Sequence, residues 1–76
     1  MVMFEKLKEL IINYVEVEAE NITLESRFIE DLGFNSYDFM SLLGDLETEL
    51  DVMVNENEVV KLRTVGDAVE YLEKIR

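Results

Sequence analysis

The sequence predicts an all-α fold of three long amphipathic helices, one short helix and a long, packed first connection. Three observations predict it. Apolar residues recur at spacings of three and four in three separate stretches. The chain has no proline and only three glycines, so little interrupts a helix. With 76 residues and no cysteine, it has neither a disulfide framework nor thiolate ligands for a metal. A domain that small depends on well-packed helices.

Residues 3–16, MFEKLKELIINYVE, place Phe4, Leu7, Ile11 and Tyr14 or Val15 on one helical stripe, with Lys6 and Lys8 on the polar side and Glu5 placed to pair with Lys8. The connection over 17–35 is long for so small a domain. Ile22, Leu24, Phe28, Ile29, Leu32 and Phe34 nevertheless give it an apolar anchor every few residues, and Ser26 can cap a short turn through RFIEDL. A connection of that length lets the first two helices lie roughly parallel instead of folding back as a hairpin. Residues 36–50 turn Phe39, Leu42, Leu43, Leu46 and Leu50 inward. A shorter segment, about 56–62, carries Val59, Val60 and Leu62 behind a possible cap at Asn55. Residues 65–75 bring Val65, Ala68, Val69, Leu72 and Ile75 inward behind Thr64, with Asp67 three residues on, as in a capping box. These stripes are core positions, because so small a chain needs them inside. Residues 1–76 are expected to form one domain.

Hydrophobic residues make up 49% of the chain, too many for a disordered acidic tail despite a formal net charge of -11. Eighteen acidic residues against seven basic ones exclude nucleic acid as a partner, since phosphates would be repelled, and point to partners with basic patches. Crowded carboxylates are expected to repel one another and to ionise less readily in the folded state. No apolar run approaches the roughly 20 residues that span a bilayer. The start, MVMFEKLKEL, lacks a basic region followed by an apolar one, so a cytoplasmic protein without a signal peptide is expected.

DLGFNSYDFM, residues 31–40, raises the functional question. Ser36 falls where a loop with Gly33 gives way to a helix, and a chain without histidine has no Ser–His pair to make it a nucleophile. GFNSY lacks the second glycine of G-x-S-x-G, and no strand precedes it. A phosphate cradle needs more glycine than Gly33 alone. Carboxylate pairs are plentiful, but in so acidic a chain they read as a solvated face. What remains is the helix start. If Asn35 caps the helix, Ser36 is its first residue and Asp38 its third, so the hydroxyl lies beside amides that favour a phosphate. Ser36 then reads as an attachment point on which another enzyme installs a group. The chain itself is not expected to be an enzyme.

EDLGFNSYDFMSLLGDLETELDV resembles the acyl carrier protein signature, in which an L-G-x-D-S-L-like turn opens the second helix of a four-helix bundle. Length, acidity, the long first connection and the closing TVGDAVEYLEKI are similar as well. The resemblance implies a four-helix acyl-carrier-like bundle in which Ser36 carries phosphopantetheine, whose thiol holds acyl groups as thioesters. It implies a phosphopantetheinyl transferase, working with a metal ion, as one partner, and acyl-transferring or synthase enzymes with basic docking patches as others. The second helix would be the face they read. Tyr37 and Met40 are the candidate apolar contacts there, and Asp38, Glu47 and Glu49 the acidic ones. An acyl chain sheltered between helices would use the region of Phe28, Leu46 and Val65. A monomer without membrane insertion is expected.

The chain also departs from that pattern. Asn35 stands for the usual aspartate before the serine, and Tyr37 for the usual leucine after it. Ser41 and Thr48 stand where acids are common, and Gly44 replaces an apolar helix residue. These changes point to a dedicated partner set in a fatty-acid, polyketide or similar pathway rather than a general synthase. Two functional readings remain open: a covalently modified carrier of acyl, peptidyl or aminoacyl groups, and an unmodified carrier-like interaction domain.

Overall fold

The computed structural model describes residues 2–76. In chain order they form α1 (Val2–Ile11), a single 3-10 turn (Ala19–Asn21), α2 (Ser36–Leu50), α3 (Glu56–Val59) and α4 (Val65–Ile75). Among the described residues no strand occurs, and no helix is long and apolar enough to cross a membrane.

Local chemistry sets the starts of α2 and α4. The Asn35 side chain accepts from the Asp38 backbone N–H at 2.7 Å, satisfying a donor with no partner inside the helix. At α4 the capping box is complete. The Asp67 N–H donates to Thr64 Oγ1 at 3.0 Å, and the Thr64 N–H donates to Asp67 Oδ2 at 3.2 Å.

α1 packs on α4 and on α2, burying Met3, Leu7 and Ile11 against Leu42, Leu43 and Leu46 of α2 and Val65, Ala68, Val69 and Leu72 of α4. The connection contributes Ile22, Phe28, Leu32 and Phe34 to the same cluster. Phe28 stands edge-on to Phe34, with ring centroids 5.7 Å apart.

Backbone hydrogen bonds fasten the connection to the start of α4. Phe28 N–H donates to Arg63 C=O (2.9 Å), Val65 N–H to Ser26 C=O (2.9 Å) and Gly66 N–H to Leu24 C=O (2.8 Å), around an antiparallel bridge between Arg27 and Thr64. The approach is so close that a Cβ on Gly66 would lie 2.9 Å from the Leu24 carbonyl oxygen. Gly33, at φ +84°, reverses the chain just before α2.

Several expectations are corrected. α1 stops at Ile11, not at residue 16. Beyond it Asn13 and Tyr14 bond three residues back, to the Leu10 and Ile11 carbonyls, so the stripe continues as tightened turns. α3 likewise ends at Val59, and Lys61 and Leu62 continue in i→i−3 turns. Ser26 does not cap the turn ahead of it; its Oγ accepts from the Thr23 N–H at 2.9 Å. The RFIEDL turn is capped instead by Asp31, whose carboxylate accepts from the Arg27 N–H (2.8 Å) and from its guanidinium (3.0 and 3.1 Å). Ile29 and Val60, expected inside, are exposed.

The carboxyls of Asp31 and Asp67 run opposite to the expected crowding effect. The Arg27 side chain lowers Asp31, and the backbone N–H groups of Arg63 and Thr64 lower Asp67.

Candidate functional site

Ser36 is the first residue of α2 and is exposed. Its position follows from the residues before it: Gly33 turns the chain, Phe34 anchors it in the core, and Asn35 caps the helix. Beside it opens a groove of about 370 Å³. Phe28 and Ile29 of the connection line one side, Phe39 and Met40 of α2 another, and Val60 and Leu62 after α3 a third. Ser36, Glu30 and Arg63 are its polar members. The Phe28 and Phe39 rings lie 5.0 Å apart between centroids, so two of these walls touch.

The other expected site residues share α2 but differ in setting. Tyr37 is 81% exposed and Met40 43%, so neither is a core residue, and Met40 lines the groove as well. Glu49 is exposed and Asp38 half-buried. Glu47 is half-buried, and its carboxylate accepts from the Val54 N–H at 2.9 Å, closing the loop after α2. The left-handed Asp51 (φ 53°) ends that helix, its N–H donating to the Glu47 carbonyl. Among the described residues no cluster of three or more acidic, histidine or cysteine side chains is placed to hold a metal ion.

The three residues expected to shelter an acyl chain, Phe28, Leu46 and Val65, differ in setting. Phe28 does line the groove, but Leu46 and Val65 are wholly buried in the core and do not. Ile29, Val60, Leu62, Glu30 and Arg63 line the groove with Phe28, none of which the sequence singled out for the site.

A family profile described as "Phosphopantetheine attachment site" matches residues 5–72. The chain belongs to the acyl carrier protein family. It is 44% identical over 70 residues to the acyl carrier protein of Clostridium perfringens, covering 92% of each chain. It is 37% identical over 73 residues to that of Wolinella succinogenes, covering 96% of each. The fold agrees: the acyl carrier protein from Enterococcus faecalis superposes with a TM-score of 0.84 at 27% identity, over 97% of this chain and 94% of that one.

Carriers of this family are not enzymes, and their prosthetic group is covalently attached phosphopantetheine. The residues around α2 fit such a group. An exposed hydroxyl is available at Ser36, and the apolar groove it borders is large enough to take a short alkyl chain out of water. When bound, the group supplies a thiol on a flexible arm.

Proposed function

We propose that Ser36 carries the phosphopantetheine arm, so that residues 1–76 act as a single, monomeric acyl carrier domain. The supporting observation is the place of Ser36, at the opening of α2 and on the rim of an apolar groove. Acyl groups delivered from that point have an apolar surface within reach. Ser36 contributes only the oxygen. With no histidine in the chain, its activation falls to the modifying transferase.

The docking face in this reading is α2. Tyr37 and Met40 present apolar surface, while Asp38 and Glu49 offer charge to a basic patch on an acyl-transferring or synthase enzyme. Glu47 contributes charge from a fixed position, because its carboxylate is held by Val54. Fatty-acid or polyketide intermediates handled in the cytoplasm by a dedicated partner set fit the altered α2 sequence.

Intact-mass measurement after incubation with coenzyme A and a broad-specificity phosphopantetheinyl transferase tests the assignment. Wild type gains the mass of the arm, Ser36→Ala does not, and Asn35→Asp gains it faster. Equal modification of the alanine variant, or none of wild type, returns the chain to the interaction-domain reading. Replacing Tyr37 and Met40 together by serine leaves melting nearly unchanged and weakens transfer from a cognate enzyme. A large loss of stability instead would assign them to the core.

A further inference from the structure

We infer that Arg63 is a positioning residue that pairs with the phosphate of the arm on Ser36 and turns the arm toward the groove. The inference rests on the assignment of Ser36 and adds a second residue to it. A phosphodiester on Ser36 would sit in a strongly acidic field: the chain carries eighteen acids against seven bases, Asp38 follows two residues on, and Glu30 lines the same groove. Arg63 is the cation in that lining.

Its present partner does not match it. Arg63 Nη2 lies 3.8 Å from Glu30 Oε2, close enough for an ion pair but too far for a hydrogen bond, and the Arg63 side chain is 75% exposed. Arg27, bridged to the neighbouring Thr64, differs. Its Nε and Nη2 both reach the Asp31 carboxylate, at 3.0 and 3.1 Å, so its fork is filled. A guanidinium has five donors, and the Glu30 contact satisfies none of them at hydrogen-bond length. A phosphodiester accepts two parallel N–H groups and displaces so loose a partner.

The Arg63 backbone is already held in place for this role. Its carbonyl accepts from the Phe28 N–H at 2.9 Å, and its own N–H donates to Asp67 at 3.1 Å. Only the side chain moves when the partner changes from Glu30 to phosphate, so little order has to be created. The arm leaves Ser36 on the groove side as a result.

NMR on the isolated protein, before and after loading with transferase and coenzyme A, tests the inference. Mass measurement first establishes loading, so failure of Ser36 to take the arm is read separately. In loaded wild type the Arg63 Nε–Hε signal shifts from its unloaded position. Arg63→Gln moves the 31P resonance, Arg63→Lys restores part of the difference, and added salt drives wild type toward Arg63→Gln. With an octanoyl group on the arm, Arg63→Gln hastens thioester cleavage by a small nucleophile about two- to fivefold, the factor an exposed ion pair is worth. Glu30→Gln, which removes the competitor, slows it. An Arg63 signal indifferent to loading, or a 31P resonance identical in wild type and Arg63→Gln, overturns the inference.

Discussion

The Tyr14 hydroxyl donates a hydrogen bond to the Asp45 carboxylate, tying the turn that ends α1 to the middle of α2. That bond, then partial burial, then the charges of Asp45 and Asp38 push the phenol from its ordinary 10.0 up to about 12. The folded chain therefore holds this proton more tightly than the unfolded one. The stabilisation is fully present below pH 10 and is lost as pH rises toward about 12. Melting of wild type against Tyr14→Phe should show a constant gap up to pH 10 that closes above it. A gap that widens with alkalinity would contradict the assignment.

Two glycines should respond to alanine with opposite signs. A Cβ on Gly44 meets nothing within 4 Å, so Gly44→Ala recovers helix propensity of about 1 kcal/mol. In a domain of this size that raises Tm by about 4–8 °C. Gly66→Ala forces a Cβ against the Leu24 carbonyl, which must move and strain its bond to the Gly66 N–H. It should cost about 1–3 kcal/mol. Thermal denaturation of both variants decides the matter.

Acid should act through Asp67. Backbone N–H groups of Arg63 and Thr64 lower its pKa below the ordinary 3.8, so its contribution is present above that value and fades as pH falls through the folded one. Asp67→Asn should melt below wild type at neutral pH, and the two should converge in strong acid. Thr64→Ala, which breaks the other half of the box, should cost about 1 kcal/mol in both ranges.

Tyr71 is buried in α4, and its hydroxyl accepts from the Asn55 N–H at 2.8 Å at the entry to α3. Tyr71→Phe keeps the ring and removes the acceptor, a loss of about 1 kcal/mol. Urea denaturation should show a lower midpoint with an unchanged slope.

How far the sequence reads depends on where each signal resides. α2 and α4 lie where the spacing puts them, because Asn35, Thr64 and Asp67 cap through atoms three residues away. The ends of α1 and α3 are less legible. Tyr14 and Leu62 stay partly buried whether the backbone bonds four residues back or three, so apolar spacing cannot separate a helix from a tightened turn. Ser36 is legible as the residue opening a helix after a glycine turn. Its groove is not, since Ile29, Met40 and Val60 come from three segments that only the tertiary fold brings together. Arg63 is illegible for the same reason: in sequence it is one charge before a cap.

The fastening of the connection to α4 gives the groove walls of unequal compliance. Phe28 is clamped through its own N–H to Arg63, and the strap continues through Val65 and Gly66, so that wall is stiff. Val60 and Leu62, on another wall, follow a four-residue helix whose one buried residue is Val59. On the proposed assignment of Ser36, a longer or branched cargo is expected to displace α3 and the turn after it. Loading the carrier with progressively longer chains should accelerate amide exchange at Val59, Lys61 and Leu62 while leaving Phe28, Val65 and Gly66 as protected as before. Equal acceleration on both sides would mean that the strap yields too. Cargo length would then be registered as motion on one flank of Ser36, where a partner enzyme could sense it without touching the cargo.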